Sequence, residues 1–297
     1  MTINAETKIV GLIGHPISHS FSPFIHNTAF ELTGLNYKYI AFDVLPENLK
    51  DALKGLVALG IKGVNVTIPH KEAVIESLDN VSPEARIIGA VNTIVNENGT
   101  LSGHNTDVYG FTESLKKYKN LISNTPVFIF GAGGSARAVI YSLITNFQPE
   151  RIVIANRNIS RAEGITRHFS QVLGYKDFEV KEFFLPEIAG DIKSSRLVVN
   201  TTPIGMYPNI NELPVPVDDF FHDGQVVYDL VYNPPMTKFL KLARRKGAEV
   251  ISGIEMLILQ ASKSFELWTG KEMPIAEIKK LLLKELKPRR KKGKNDT

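Results

Sequence analysis

Lys71 stands in the stretch GVNVTIPHKE at residues 63–72, just past a short apolar run. Pro69 reads as the opening of a helix, which puts the lysine in that helix's first turn. The positive end of the helix dipole favours anions there, so a lysine is electrostatically out of place. Facing a cleft, it would meet an anionic partner or give a proton to an oxygen. The spacing alone fits a solvated lysine equally well. Other polar groups sit beside glycines or strand ends. SHSFSP reads as a loop on which Ser20 and Ser22 offer short hydroxyl donors suited to a carboxylate. Asn92 lies in GAVNT and Asp107 in GHNTDVYG, where a helix N-cap is the competing account of the aspartate. His15, His19 and His26 flank the serines without a supporting carboxylate pattern, so no metal site is expected.

A second chemical signal is IFGAGGSAR at residues 129–137, a strand running into a glycine-rich turn. Gly131 and Gly133 take the first two places of a dinucleotide fingerprint and Ala136 the third; Ala132, Gly134 and Ser135 complete the loop. Gly131 suits the turn, Gly133 admits a pyrophosphate to the main chain, and Ala136 allows close helix–strand packing. The phosphate would rest on free N–H groups at the helix start. A cofactor with a free ribose 2′-hydroxyl usually meets an acid at the end of the next strand; here stand Asn156 and Arg157, with Arg161 one turn on. Two guanidinium groups suit a 2′-phosphate, so NADP is expected over NAD.

The elements that must position these residues alternate strand and helix. Strands are predicted at 8–14, 37–44 and 64–68, a helix at 46–59 closed by Gly60, and a hairpin through the Asn98-Gly99 turn. Short, mostly apolar runs at 127–130, 152–155, 197–200 and 226–230 read as buried parallel strands, with helices at 136–145 and 160–169 between them. Helices at 255–267 and 275–286 end the pattern. The fold class is α/β, with a doubly wound portion.

Composition narrows the rest. The 297 residues hold 43% hydrophobic and 22% charged side chains, as a globular protein does. No apolar run approaches the ~20 residues that span a bilayer, and the first ten residues lack a signal layout. The absence of cysteine excludes disulfides, thiolate zinc ligands and thiolate nucleophiles, and fits a cytoplasmic location. The net charge of +4 is concentrated in KPRRKKGKNDT at 287–297, which carries six Lys/Arg against one Asp. That stretch reads as a solvated, disordered end rather than a nucleic-acid arm.

Taken in order, HSFSP, NVTIPHK, GAVNT, NTD, GAGGSAR, ANR, NTTPIGM, YDLVYNPPMT and GIEMLILQA resemble the shikimate dehydrogenase family along nearly the whole chain. The resemblance implies reversible NADPH-dependent reduction of 3-dehydroshikimate in aromatic amino-acid biosynthesis. It implies Ser20 and Ser22 on the substrate carboxylate with Tyr232 nearby, and Thr67, Asn92 and Gln260 on the ring hydroxyls. Lys71 and Asp107 would form the catalytic pair. Asn156, Arg157 and Arg161 would hold the adenosine phosphate end, and Thr201, Leu230 and Gly253 would line the way to the nicotinamide. The family often has Thr after Asn-Arg, where this chain has Asn158. The implied architecture is a discontinuous substrate domain (1–106 plus 253–286) and an inserted Rossmann-type NADP domain (107–252) across a cleft. Gly110 and Gly253 lie near the crossings, as turn glycines or as aids to cleft motion. The implied partner is a small molecule, not nucleic acid or membrane, and a homodimer is compatible. Two alternatives stand: a quinate/shikimate dehydrogenase with broader substrate or NAD use, and a non-catalytic nucleotide-sensing protein on the same fold.

Overall fold

The structure, a computed structural model, describes residues 3–215 and 220–286; the basic stretch 287–297 lies outside them. The strands are β1 (Lys8–Gly14), β2 (Tyr37–Asp43), β3 (Gly63–Val66), β4 (Asn80–Val81), β5 (Thr93–Glu97), β6 (Thr100–His104), β7 (Val127–Phe130), β8 (Ile152–Ala155), β9 (Phe178–Lys181), β10 (Leu197–Asn200), β11 (Val226–Asp229) and β12 (Glu249–Ser252). The helices are α1 (Ser22–Thr33), α2 (Leu49–Ala58), α3 (Pro83–Ile88), α4 (Asp107–Leu115), α5 (Lys119–Ile122), α6 (Gly134–Ser142), α7 (Ile159–Leu173), α8 (Leu185–Ser194), α9 (Lys238–Arg245), α10 (Gly253–Thr269) and α11 (Ile275–Glu285).

Two six-stranded sheets result. The second has the order β12-β11-β10-β7-β8-β9 and is parallel throughout. This is the doubly wound arrangement, and its order reverses between β7 and β10. The strands are short apolar runs because both faces are covered. In β7, Val127 and Ile129 join a core with Val139, Phe111 and Phe169, while Phe128 and Phe130 join one with Phe239 and Ile188.

The first sheet, β2-β1-β3-β5-β6-β4, is mixed. β1 pairs parallel with β2 and β3; β5 runs antiparallel to β3 and β6. Asn98 (φ 54°) and Gly99 (φ 94°) make the tight turn of the β5–β6 hairpin. One face packs on α2 through Leu49, Leu53 and Leu56. The other is closed by α1 together with Ile258, Phe265 and Trp268 of α10 and Ile278 and Leu282 of α11. Residues near the end of the chain thus complete a core begun by the first strand.

Two expectations near the site need correction. Ser22 is not on a loop: it is the first residue of α1, with Pro23 following where a missing N–H costs nothing. Pro69 does not open an α-helix. Residues 68–72 are turns, followed by a 3₁₀ helix at Ala73–Ser77. The Lys71 carbonyl, which an α-helix would give to residue 75, accepts instead from the Val91 N–H at 2.8 Å.

His26 on α1 is wholly buried and stacked on Tyr39, with ring centroids 4.5 Å apart. Neither ring nitrogen has a hydrogen-bond partner. Burial lowers its pKa from 6.5 to about 3. The unfolded chain takes up a proton below pH 6.5 that the folded chain refuses. Stability is therefore lost as pH falls from 6.5 toward 3, by about 1.4 kcal/mol per pH unit from this group. His26→Phe should flatten that loss and raise stability at neutral pH by removing two unsatisfied polar atoms. Urea unfolding between about pH 4.5 and 7 checks this; an unchanged slope would exonerate the histidine.

Candidate active site

The turn after β3 aims Lys71 at the first residue of α4. Its Nζ lies 2.5 Å from Asp107 Oδ2 and 3.4 Å from Ser135 Oγ; Asp107 is buried and Lys71 largely so. The other carboxylate oxygen, Asp107 Oδ1, accepts from Asn92 Nδ2 at 2.8 Å. Asn92 Nδ2 also donates to Thr106 Oγ1, and its Oδ1 accepts from the Thr106 N–H at 2.7 Å. Thr106, not Asp107, is the N-cap of α4, so the aspartate side chain is free for Lys71. Because Lys71 sits in a turn, it does not stand in the first turn of a helix of its own, as the sequence suggested. What holds it is a carboxylate.

These groups open onto a cavity of about 320 Å³. Every residue expected to bind substrate lines it: Ser20, Ser22, Thr67, Asn92, Tyr232 and Gln260. Ser20 Oγ accepts from the Ser22 N–H at 3.2 Å, and Tyr232 stands edge-on to Phe21, its burial raising the phenol pKa. Ser135, Thr201, Leu230 and Gly253 line the cavity as well. Gly131, Ala132 and Gly133 form the turn between β7 and α6, whose first turn holds Gly134, Ser135 and Ala136, while Asn156 and Arg157 follow β8 and Arg161 lies in the first turn of α7.

Sequence reasoning missed several lining residues, among them Asn65, His19 and Met206. Asn65 had a signal: two residues before Thr67, it shares that residue's strand face. It accepts from Tyr39 Oη at 2.8 Å and donates to Ser264 Oγ at 3.0 Å. Asp229 was also missed. It is fully buried at the end of β11 and accepts from Asn200 Nδ2 (2.9 Å), the Val231 N–H (3.0 Å) and Thr237 Oγ1 (2.6 Å). Burial raises its pKa to about 7. It ties together the segments that carry Thr201 and Leu230.

The crevice at the switch point fits a dinucleotide. Gly131, at φ 102°, adopts a conformation that other residues avoid, and a Cβ there would lie 2.6 Å from Thr201 Oγ1. A Cβ on Gly133 would point into open space, so the main chain is open to a ligand. Gly133 is the N-cap of α6 and no side chain caps that helix, which leaves its first N–H groups facing the crevice. Asn158 caps α7 by accepting from the Arg161 N–H at 3.1 Å. Arg157 is exposed, whereas Arg161 reaches Glu72 Oε1 at 2.9 Å.

Comparison with known proteins identifies the family. The family described as Shikimate dehydrogenase substrate binding domain matches residues 12–94. Shikimate / quinate 5-dehydrogenase matches residues 113–192, and Shikimate 5'-dehydrogenase C-terminal domain matches residues 253–283. The shikimate dehydrogenase (NADP(+)) of Methanopyrus kandleri is 45% identical over 97% of this chain and 99% of its own. The chain belongs to the shikimate dehydrogenase family. A crystal structure of a shikimate dehydrogenase in complex with NADP+ superposes with a TM-score of 0.89 at 42% identity, covering 97% of this chain and 98% of the other. The Thermus thermophilus enzyme in complex with NADP(H) and shikimate gives 0.80 at 35% identity, over 93% and 99%.

In this member of the shikimate dehydrogenase family, Gly110 and Gly253 serve close packing. Gly110 is inside α4, where a Cβ would lie 2.8 Å from the Met256 carbonyl of α10. Gly253 begins α10, where a Cβ would lie 2.2 Å from the Leu230 carbonyl. Neither is a turn glycine. Gly253→Ala should cost about 1–3 kcal/mol of stability through overpacking. A urea midpoint equal to that of the parent would show that the contact yields freely.

Proposed function

We propose that this chain catalyses the reversible NADPH-dependent reduction of 3-dehydroshikimate to shikimate, a step toward aromatic amino acids. The observation that carries this reading is the Lys71–Asp107 pair in a cavity bounded by two serines and open to the crevice beside Ser135. Ser20 and Ser22, with Tyr232, take the substrate carboxylate. Thr67, Asn92 and Gln260 take the ring hydroxyls, Asn92 while also orienting Asp107. When bound, the reduced nicotinamide supplies the hydride. Lys71 gives the ketone oxygen its proton, and Asp107 keeps the ammonium in place. Gly131–Ala136 cradle the pyrophosphate; Asn156, Arg157 and Arg161 face the adenosine phosphates; Thr201, Leu230 and Gly253 border the nicotinamide.

The division of labour follows the two sheets: residues 1–106 with 253–286 hold substrate and 107–252 hold cofactor. A cytoplasmic enzyme drawing on the local NADPH pool fits this role. No helix among the described residues is long and apolar enough to cross a membrane. A homodimer is the assembly we favour, because β2 is an edge strand with Ile40 exposed on it.

NADPH oxidation with 3-dehydroshikimate tests the activity directly; no turnover despite NADPH binding would favour a nucleotide sensor instead. Lys71→Ala should lower kcat by about 10²–10⁴-fold while leaving substrate binding nearly intact. A rise in KM at constant kcat would remove Lys71 from the chemistry. The kcat/KM for NADPH should exceed that for NADH by more than about tenfold, since arginine contacts to a 2′-phosphate are charge-assisted. A preference for NADH would overturn the assignment of Arg157 and Arg161.

A further inference from the structure

Glu72 follows Lys71 directly in the chain, yet its carboxylate turns toward the other sheet. Oε1 accepts from Arg161 Nη2 of α7 at 2.9 Å, and Oε2 lies 3.4 Å from Arg137 Nε of α6. The Arg137 contact is an ion pair without a hydrogen bond at that nitrogen; Arg137 Nη1 donates to the Ile88 carbonyl at 3.2 Å. One carboxylate thus spans both helices that flank the crevice. It holds the same guanidinium that the function above assigns to the cofactor's 2′-phosphate.

A carboxylate and a phosphate seek an arginine by the same chemistry, two oxygens against a planar N–H fork. They cannot share Arg161 without two anions lying side by side. Resting on that assignment of Arg161, we propose that Glu72 is a built-in competitor for the 2′-phosphate. It occupies Arg161 until a phosphorylated ribose displaces it, and so sets how strongly the chain favours the phosphorylated cofactor. Arg157, exposed beside the same site, is available to the phosphate from the start. Displacement has a second effect. It breaks the bond between α7 and the turn that carries Lys71, so the adenosine end of the ligand reaches the reactive lysine through one peptide link.

The pair is partly exposed, with the Arg161 side chain 55% and the Glu72 side chain 39% accessible, so the effect is modest and screened by salt. The experiment uses the full chain and two fragments that cannot react, adenosine 2′,5′-bisphosphate and 5′-AMP, titrated calorimetrically at low ionic strength. Glu72→Gln should tighten the bisphosphate about two- to fivefold and leave 5′-AMP unchanged. The gain should shrink at high salt. Arg161→Ala should remove most of the preference for the bisphosphate, and adding Glu72→Gln to it should bring no gain.

If Glu72→Gln leaves the bisphosphate unchanged or weakens it while Arg161→Ala abolishes the preference, Arg161 keeps its role and the competition is refuted. Weakening would make Glu72 a residue that positions the arginine. If Arg161→Ala leaves the preference intact, the phosphate binds elsewhere and both readings fall.

Discussion

The architecture turns on bringing one lysine within a hydrogen bond of one aspartate in a buried, open-sided cavity. Lys71 and Asp107 meet at 2.5 Å. A buried ammonium is costly unless paired, and the partner must itself be held. Asn92 holds it, and the Asn92 amide is fixed by Thr106. Each link comes from a different piece of chain: the turn after β3, the approach to β5 and the start of α4. The first sheet exists, in functional terms, to register these three pieces.

The second sheet solves a different problem. Its strand order reverses between β7 and β10, and the chain segments leaving those strands diverge to open a crevice. Gly131 and Thr201 mark its two sides, close enough that a methyl group on the glycine would strike the threonine. Asp229 anchors the next segment from below with three donors. The helices α4 and α10 then bring the crevice against the cavity. They approach so closely that Gly110 has no room for a side chain, and Gly253, at the start of α10, is equally crowded by the Leu230 carbonyl after β11.

Legibility in the sequence followed the range of the interactions. β7, β8 and β10 could be read because both their faces are buried, which leaves continuous apolar runs. The hairpin could be read because its turn demands Asn-Gly. β9 and β12 could not, for they lie at sheet edges with half-exposed residues and no apolar run. The turn at Lys71 was misread as a helix because a hydrogen bond from Val91, distant in sequence, takes its carbonyl. The nine ordered strings brought Lys71, Asp107 and the serines together where spacing alone left each of them ambiguous. Nothing local announced Glu72 and Arg161 as partners, since 89 residues separate them.

The way the first sheet's core is closed has a consequence for synthesis on the ribosome. The parallel sheet β7–β12 is encoded in one uninterrupted stretch and has all its strands once residue 252 has emerged. The earlier sheet must wait, because Phe265, Trp268, Ile278 and Leu282 come last and cover one of its faces. The growing chain therefore carries a half-covered apolar sheet until those residues emerge. The order of emergence is the reverse of the order of completion, and nascent-chain chaperones would meet the exposed face of β1–β3 during that interval.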